Sequence, residues 1–167
     1  MLSLQAHEGV PPDQRNYKAA LLACALCGEA QTAQSIYSEM LQYGFSSDTC
    51  SHVAVMDACA QSHAWQAALN LLDQTEPLGL QRTVEVWNVA IRACAYAGQW
   101  QQALGLIASM KACGVQPNVS AYCGKIQALG RAGEWEAAVA VLDEVRSAHA
   151  SASTANNATD ANGGHPL

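Results

Sequence analysis

Residues 84–118 read VEVWNVAIRACAYAGQWQQALGLIASMKACGVQPN, and this stretch decides the architecture. Val86, Ala90, Ile91 and Cys94 fall at helical spacing, as do Leu104, Ile107 and Met110, so each set makes one apolar stripe. Ala97-Gly98 supplies a break between the two stripes, and Gly114 with Pro117 stops the second. The stretch therefore reads as a helical hairpin. A half-buried strand needs sustained alternation of apolar and polar residues, which is absent here, and Ala, Leu and Gln favour helix.

The hairpin recurs along the chain. Trp65, Trp100 and Trp135 lie 35 residues apart, and Cys24, Cys59 and Cys94 keep the same step. So do Leu21, Met56, Ile91 and Ile126, the column Tyr37, Leu72, Ile107 and Leu142, and the glycines Gly44, Gly79 and Gly114. Repeats are expected at 14–48, 49–83, 84–118 and 119–148. A period of this length marks a solenoid, propeller or array, and helical content selects an all-α fold, an α-solenoid of about four 35-residue repeats. One hairpin cannot bury its own apolar face, so neighbours must stack into a continuous core. Ala33, Ala68, Ala103 and Ala138 are expected where the two helices of each hairpin cross closely.

Composition agrees, with half of the 167 residues apolar, 13% charged and five prolines. That suits one packed helical domain rather than a disordered chain. No run approaches the roughly 18 apolar residues of a bilayer span, and Met1 to Val10 lacks a basic start and an apolar middle, so no membrane association is expected. Residues 1–13 read as the tail of an incomplete preceding repeat, so the expectation is either a longer protein or an array that has lost its first unit. Residues 149–167, rich in Ser, Ala, Asn and Gly without an apolar period, are expected to be a disordered tail.

Nothing in the residue pattern points to catalysis. Of the seven cysteines, three occupy an apolar repeat column where a free thiol acts as a small hydrophobe, and Cys24-Ala-Leu-Cys27 has no second pair to complete a zinc site. The five histidines lack the spacing of a helical metal pair, and Glu134, Glu136, Asp143 and Glu144 read as solvated surface. No catalytic residue, metal or cofactor is expected, and the chain reads as a non-enzyme.

The unit resembles the pentatricopeptide repeat. An aromatic followed by a polar residue opens unit three as Val86-Trp87-Asn88, the turn is Ala97-Gly98, and Met110 precedes a Gly114-Val-Gln-Pro117-Asn118 ending. Unit one carries Asn16-Tyr17-Lys18, Cys27-Gly28, Met40 and Gly44, closed by Asp48. Unit four carries Ala121-Tyr122-Cys123 and Ala132-Gly133, while unit two diverges most, with His52 for the aromatic and His63 for the glycine. Tetratricopeptide hairpins run 34 residues, so the 35-residue step and the ending of unit three favour the pentatricopeptide form.

The resemblance implies binding of single-stranded RNA, one base per repeat, read by the residue after the opening aromatic together with the residue that closes the unit. It assigns Asn88 with Asn118 in unit three, a pair resembling the pyrimidine-reading combination, Lys18 with Asp48 in unit one, and Val53 with Thr83 in unit two. Cys123 has no clear closing partner in unit four, and Arg131 keeps the basic residue that commonly precedes the turn. The wedge positions hold Arg15, Cys50, Glu85 and Ser120 where the family favours aliphatics. The resemblance also implies a chloroplast or mitochondrial role in RNA processing, stability or translation, although no transit peptide is legible and the cytoplasm is the default.

Charge opposes tight binding by this chain alone. Eight Lys and Arg face fourteen Asp and Glu, a net charge of −6, whereas RNA affinity draws on phosphate neutralisation. A protein-interaction scaffold using the same groove is therefore the alternative. Uncapped apolar ends make self-association a further expectation.

Overall fold

Two or three residues separate the first helix of each hairpin from its second, and the reversal rests on a left-handed residue among them. In a computed structural model, which describes residues 13–146, the elements are α1 (Gln14–Cys27), α2 (Ala30–Gln42), α3 (Thr49–Gln61), α4 (Trp65–Gln74), α5 (Val84–Tyr96), α6 (Trp100–Ala112), α7 (Val119–Ala132) and a further helix, α8, at 135–146. The expected N-terminal tail up to residue 12 and the expected tail at 149–167 lie outside the described residues. At the α5–α6 turn Gly98 has φ 72°, and Gln99 N–H bonds back to the Cys94 carbonyl at 2.9 Å, closing the helix end. The α3–α4 turn makes the same bond, from Ala64 N–H to the Cys59 carbonyl at 2.9 Å, with His63 holding φ 59° in place of a glycine.

The fold is all-α, a solenoid of helical hairpins. First helices stack directly, α1 on α3, α3 on α5 and α5 on α7, whereas α2, α4 and α6 touch the neighbouring first helices and not one another. The closely spaced row is the inner one, so the first helices line the concave side and the second helices fan outward. This explains a burial pattern that single apolar stripes do not predict. Enclosed by neighbours before and after, α5 buries Val86, Trp87, Val89, Ala90, Ile91, Ala93, Cys94 and Ala95, nearly its whole circumference. The outer α6 buries only Ala103, Ile107 and Met110.

Ala33, Ala68 and Ala103 are fully excluded from solvent, as close helix crossing requires. Gly124 serves the same end between α5 and α7, since a Cβ there would sit 2.8 Å from Ile91 Cγ2. All seven cysteines are free, and burial pushes the Cys94 thiol up to about 11. A thiol held protonated in this way is an apolar filler rather than a nucleophile. Among the described residues, no helix is long and apolar enough to cross a membrane.

Candidate nucleic-acid interface

In units one to three the opening aromatic anchors the first turn of the first helix, whereas Tyr122 of unit four is only half-buried. Tyr17, His52 and Trp87 are all buried, and this turns the next residue, at 18, 53 and 88, to the border of the inner face. The residue that closes a unit is the N-cap of the following first helix, as Asp48 is for α3, Thr83 for α5 and Asn118 for α7. Stacking of successive first helices thus brings positions 30 residues apart together.

Asn88 and Asn118 meet in this way, Asn88 Nδ2 donating to Asn118 Oδ1 at 3.1 Å. The same oxygen accepts from the Ala121 N–H at 3.2 Å and so caps α7. With that oxygen occupied twice, Asn118 has its amide Nδ2 hydrogens left to donate. The Asn88 oxygen is buried without a partner.

Lys18 and Asp48 occupy the equivalent place in unit one, with Nζ 2.5 Å from Oδ2. Burial raises the Asp48 pKa, but the bonds from Lys18 and the Ser51 N–H outweigh it and hold the carboxyl below its usual range. Lys18 is raised in turn by its bond to Asp48. Val53 packs half-buried against the core, and the Thr83 hydroxyl is buried without a hydrogen bond, so no polar bond links this pair. Cys123 is exposed near the start of α7. Arg15, Cys50, Glu85 and Ser120 are also exposed, each at the second residue of a first helix.

Arg131 is engaged elsewhere. Its Nη1 donates to the Tyr96 carbonyl at 2.5 Å, and its guanidinium lies 5.5 Å from the Tyr96 ring centre. His63 Nδ1 donates to the same carbonyl at 3.0 Å. The sequence offered a signal for one contact left unmarked by the family pattern: Asp57 and Arg92, opposite charges one repeat apart, form an ion pair between α3 and α5.

All eight basic residues fall within the described residues, and six are paired with carboxylates: Lys18, Arg82, Arg92, Lys111, Lys125 and Arg146. Arg131 serves a carbonyl, which leaves exposed Arg15 without an ion pair among the described residues. No described group of three or more His, Cys, Asp or Glu could hold a metal ion.

The family profile described as the pentacotripeptide-repeat region of PRORP matches residues 5–158. The chain belongs to the pentatricopeptide-repeat family. Comparison with curated protein sequences returns no match. Among solved structures, this pentatricopeptide-repeat chain is similar to the pentatricopeptide repeat protein PPR10 from maize, at TM-score 0.68 and 23% identity over 84% of this chain and 20% of that one. It is also similar to PPR10 in complex with an 18-nt psaJ RNA element, at TM-score 0.78 and 20% identity over 84% of this chain and 21% of that one. The PPR domain of Arabidopsis thaliana protein-only RNase P 1, in complex with tRNA, aligns at TM-score 0.63 and 17% identity over 79% of this chain and 70% of that domain. The chain spans about a fifth of the length of the PPR10 structures.

Proposed function

We propose that the concave row of first helices binds single-stranded RNA, with Asn88 and Asn118 reading one base. The observation that carries this is the convergence of two amides from successive first helices at 3.1 Å, in the place where Lys18 and Asp48 converge two units earlier. The amide hydrogens left on Asn118 suit an acceptor on a base edge, such as the O2 carbonyl common to both pyrimidines. Likeness to RNA-bound PPR10 and to the tRNA-bound RNase P domain supports the same use of the fold. A non-catalytic role in chloroplast or mitochondrial RNA processing, stability or translation is the finer reading, supported by family membership.

The charge ledger sets the expected strength. With six of eight basic residues already ion-paired, few phosphates are neutralised, so binding is weak and falls only gently with salt. The same neutralised surface favours a protein partner as the second reading. Purified chain presented with a randomised single-stranded RNA pool and matched DNA, at low and near-physiological salt, separates the two. RNA binding is expected at low salt, with Asn88→Ala flattening the preference at one nucleotide and costing about 1 kcal/mol, the net worth of one hydrogen bond. An absence of RNA binding at low salt would transfer the surface to a protein ligand.

A further inference from the structure

Neighbours cover α3 and α5 on every side but one. After its first residue α5 is buried except along Glu85, Asn88, Arg92 and Tyr96, spaced three, four and four apart and so on one face; α3 is open along the same columns, which include Cys50 and Asp57. These two stripes are the floor of the concave side where units two and three meet. Arg92 is the one cation on either stripe, and Asp57 and Glu85 are the carboxylates.

Asp57 and Arg92 stand one helical turn beyond the reading positions at 53 and 88, about 6 Å further along each helix. Arg92 Nη2 donates to Asp57 Oδ1 across the junction. The two side chains are 34% and 30% exposed, so the pair lies at the surface of the groove and not beneath it. Their row continues as Leu22 on one side and Gln127 on the other, so no third charge in the row competes for either group.

We infer, on the basis of the RNA binding proposed above, that Arg92 is a phosphate-binding residue of the groove and that Asp57 masks it. A carboxylate and a phosphate offer a guanidinium the same thing, oxygens that its planar fork can engage, so Asp57 holds the place of the phosphate. The carboxylate also cancels the positive charge that would draw a phosphate in and release its counterions. Half-exposed ion pairs are weak, so Arg92 turns from Asp57 to RNA at a small cost. A base that reaches Asn88 brings its own phosphate within a nucleotide's span of Arg92, one turn away. Phosphate contacts carry no sequence information, so base choice stays with Asn88 and Asn118.

The test is binding of a randomised single-stranded RNA pool by the full chain across a salt titration. Asp57→Asn keeps the size of the side chain and removes its charge. It is expected to tighten binding at low salt by about two- to fivefold, the scale of a half-exposed ion pair, and to steepen the dependence of log affinity on log salt by about 0.7, the mark of one further phosphate contact. Base preference is expected to stay unchanged. Arg92→Gln alone is expected to shift affinity by less than about twofold, because its charge is already spent, whereas Arg92→Gln added to Asp57→Asn is expected to abolish the gain. Asp73→Asn, an equal charge change at an exposed position of the outer helix α4, is expected to leave binding as it was. Helical circular dichroism is expected to be the same for all of these variants. Wild-type protein that binds RNA while Asp57→Asn binds no more tightly overturns the inference and leaves the RNA surface standing. A gain that survives Arg92→Gln, or that Asp73→Asn reproduces, also overturns it, since bulk charge then accounts for the effect. No binding by wild type or Asp57→Asn at low salt overturns the RNA surface and the inference together.

Discussion

At the first turn of α5 the core receives Trp87, and at the same position of α3 it receives His52. Trp87 fills its place by volume, and its indole nitrogen finds no partner. His52 fills the place by bonding: its Nδ1 accepts from the Tyr37 hydroxyl at 3.0 Å and its Nε2 donates to the Leu71 carbonyl at 2.9 Å. The Thr75 hydroxyl donates to that carbonyl at 3.1 Å, and Ser47 extends the chain from Tyr37. Three columns changed together. Tyr37 stands where units two and three have Leu72 and Ile107, and Thr75 stands where units one and three have Met40 and Met110. His52 enters this core with adjoining helices that change to satisfy both its ring nitrogens, because an unpaired buried group costs more than its bond is worth.

The sharpest way to break the comparison is Trp87→Ala, which leaves a large hole in the core. A loss of about 3–5 kcal/mol in chemical denaturation is expected, and a loss below 1 kcal/mol would mean that the site collapses freely. His52→Phe should cost less, about 1–3 kcal/mol, by leaving the Tyr37 hydroxyl without its acceptor. Adding Tyr37→Phe should recover part of that loss, since both partners are then apolar; strict additivity of the two losses would show that the network carries no coupling.

The turns sharpen the contrast on a smaller scale. His63 holds the left-handed conformation that Gly98 holds in unit three, so His63→Gly should exceed His63→Ala in stability by about 1–2 kcal/mol, the cost of that conformation to a side chain. Equal stabilities would place the strain elsewhere. The gentlest effect is with pH. Burial lowers the His52 pKa, so folding favours the neutral ring; stability is full above about pH 6.5 and falls as the pH drops below it toward the folded value. Asp48, also lowered, adds a separate loss below about pH 4. In His52→Phe only the lower step should remain.

The paired columns show where sequence reading succeeded and where it stopped. A 35-residue recurrence of apolar residues was legible because identical positions must meet identical neighbours in a stacked array, and it led to the hairpin, the all-α solenoid and the family. The single stripe read on residues 84–96 was too narrow for α5, because periodicity reports one face and cannot register that helices before and after enclose the others. His52 looked like a divergence from the family pattern; its partners Tyr37, Leu71 and Thr75 come from two other helices that no local spacing joins to it. Arg131 matched a family position, yet its direction toward the Tyr96 carbonyl depends on a residue 35 positions away.

By itself, then, the sequence determined the repeat, its helical content and which residues could stand at a base-reading position, since these follow from spacing and side-chain chemistry along the chain. Only the tertiary structure decided that Asn118 caps α7 while accepting from Asn88, that Lys18 closes onto Asp48, and that six of the eight cations are already neutralised. Those outcomes depend on how successive first helices stack, which brings together residues 30 to 35 positions apart, and hydrogen bonds and ion pairs form only at the distances that this stacking sets.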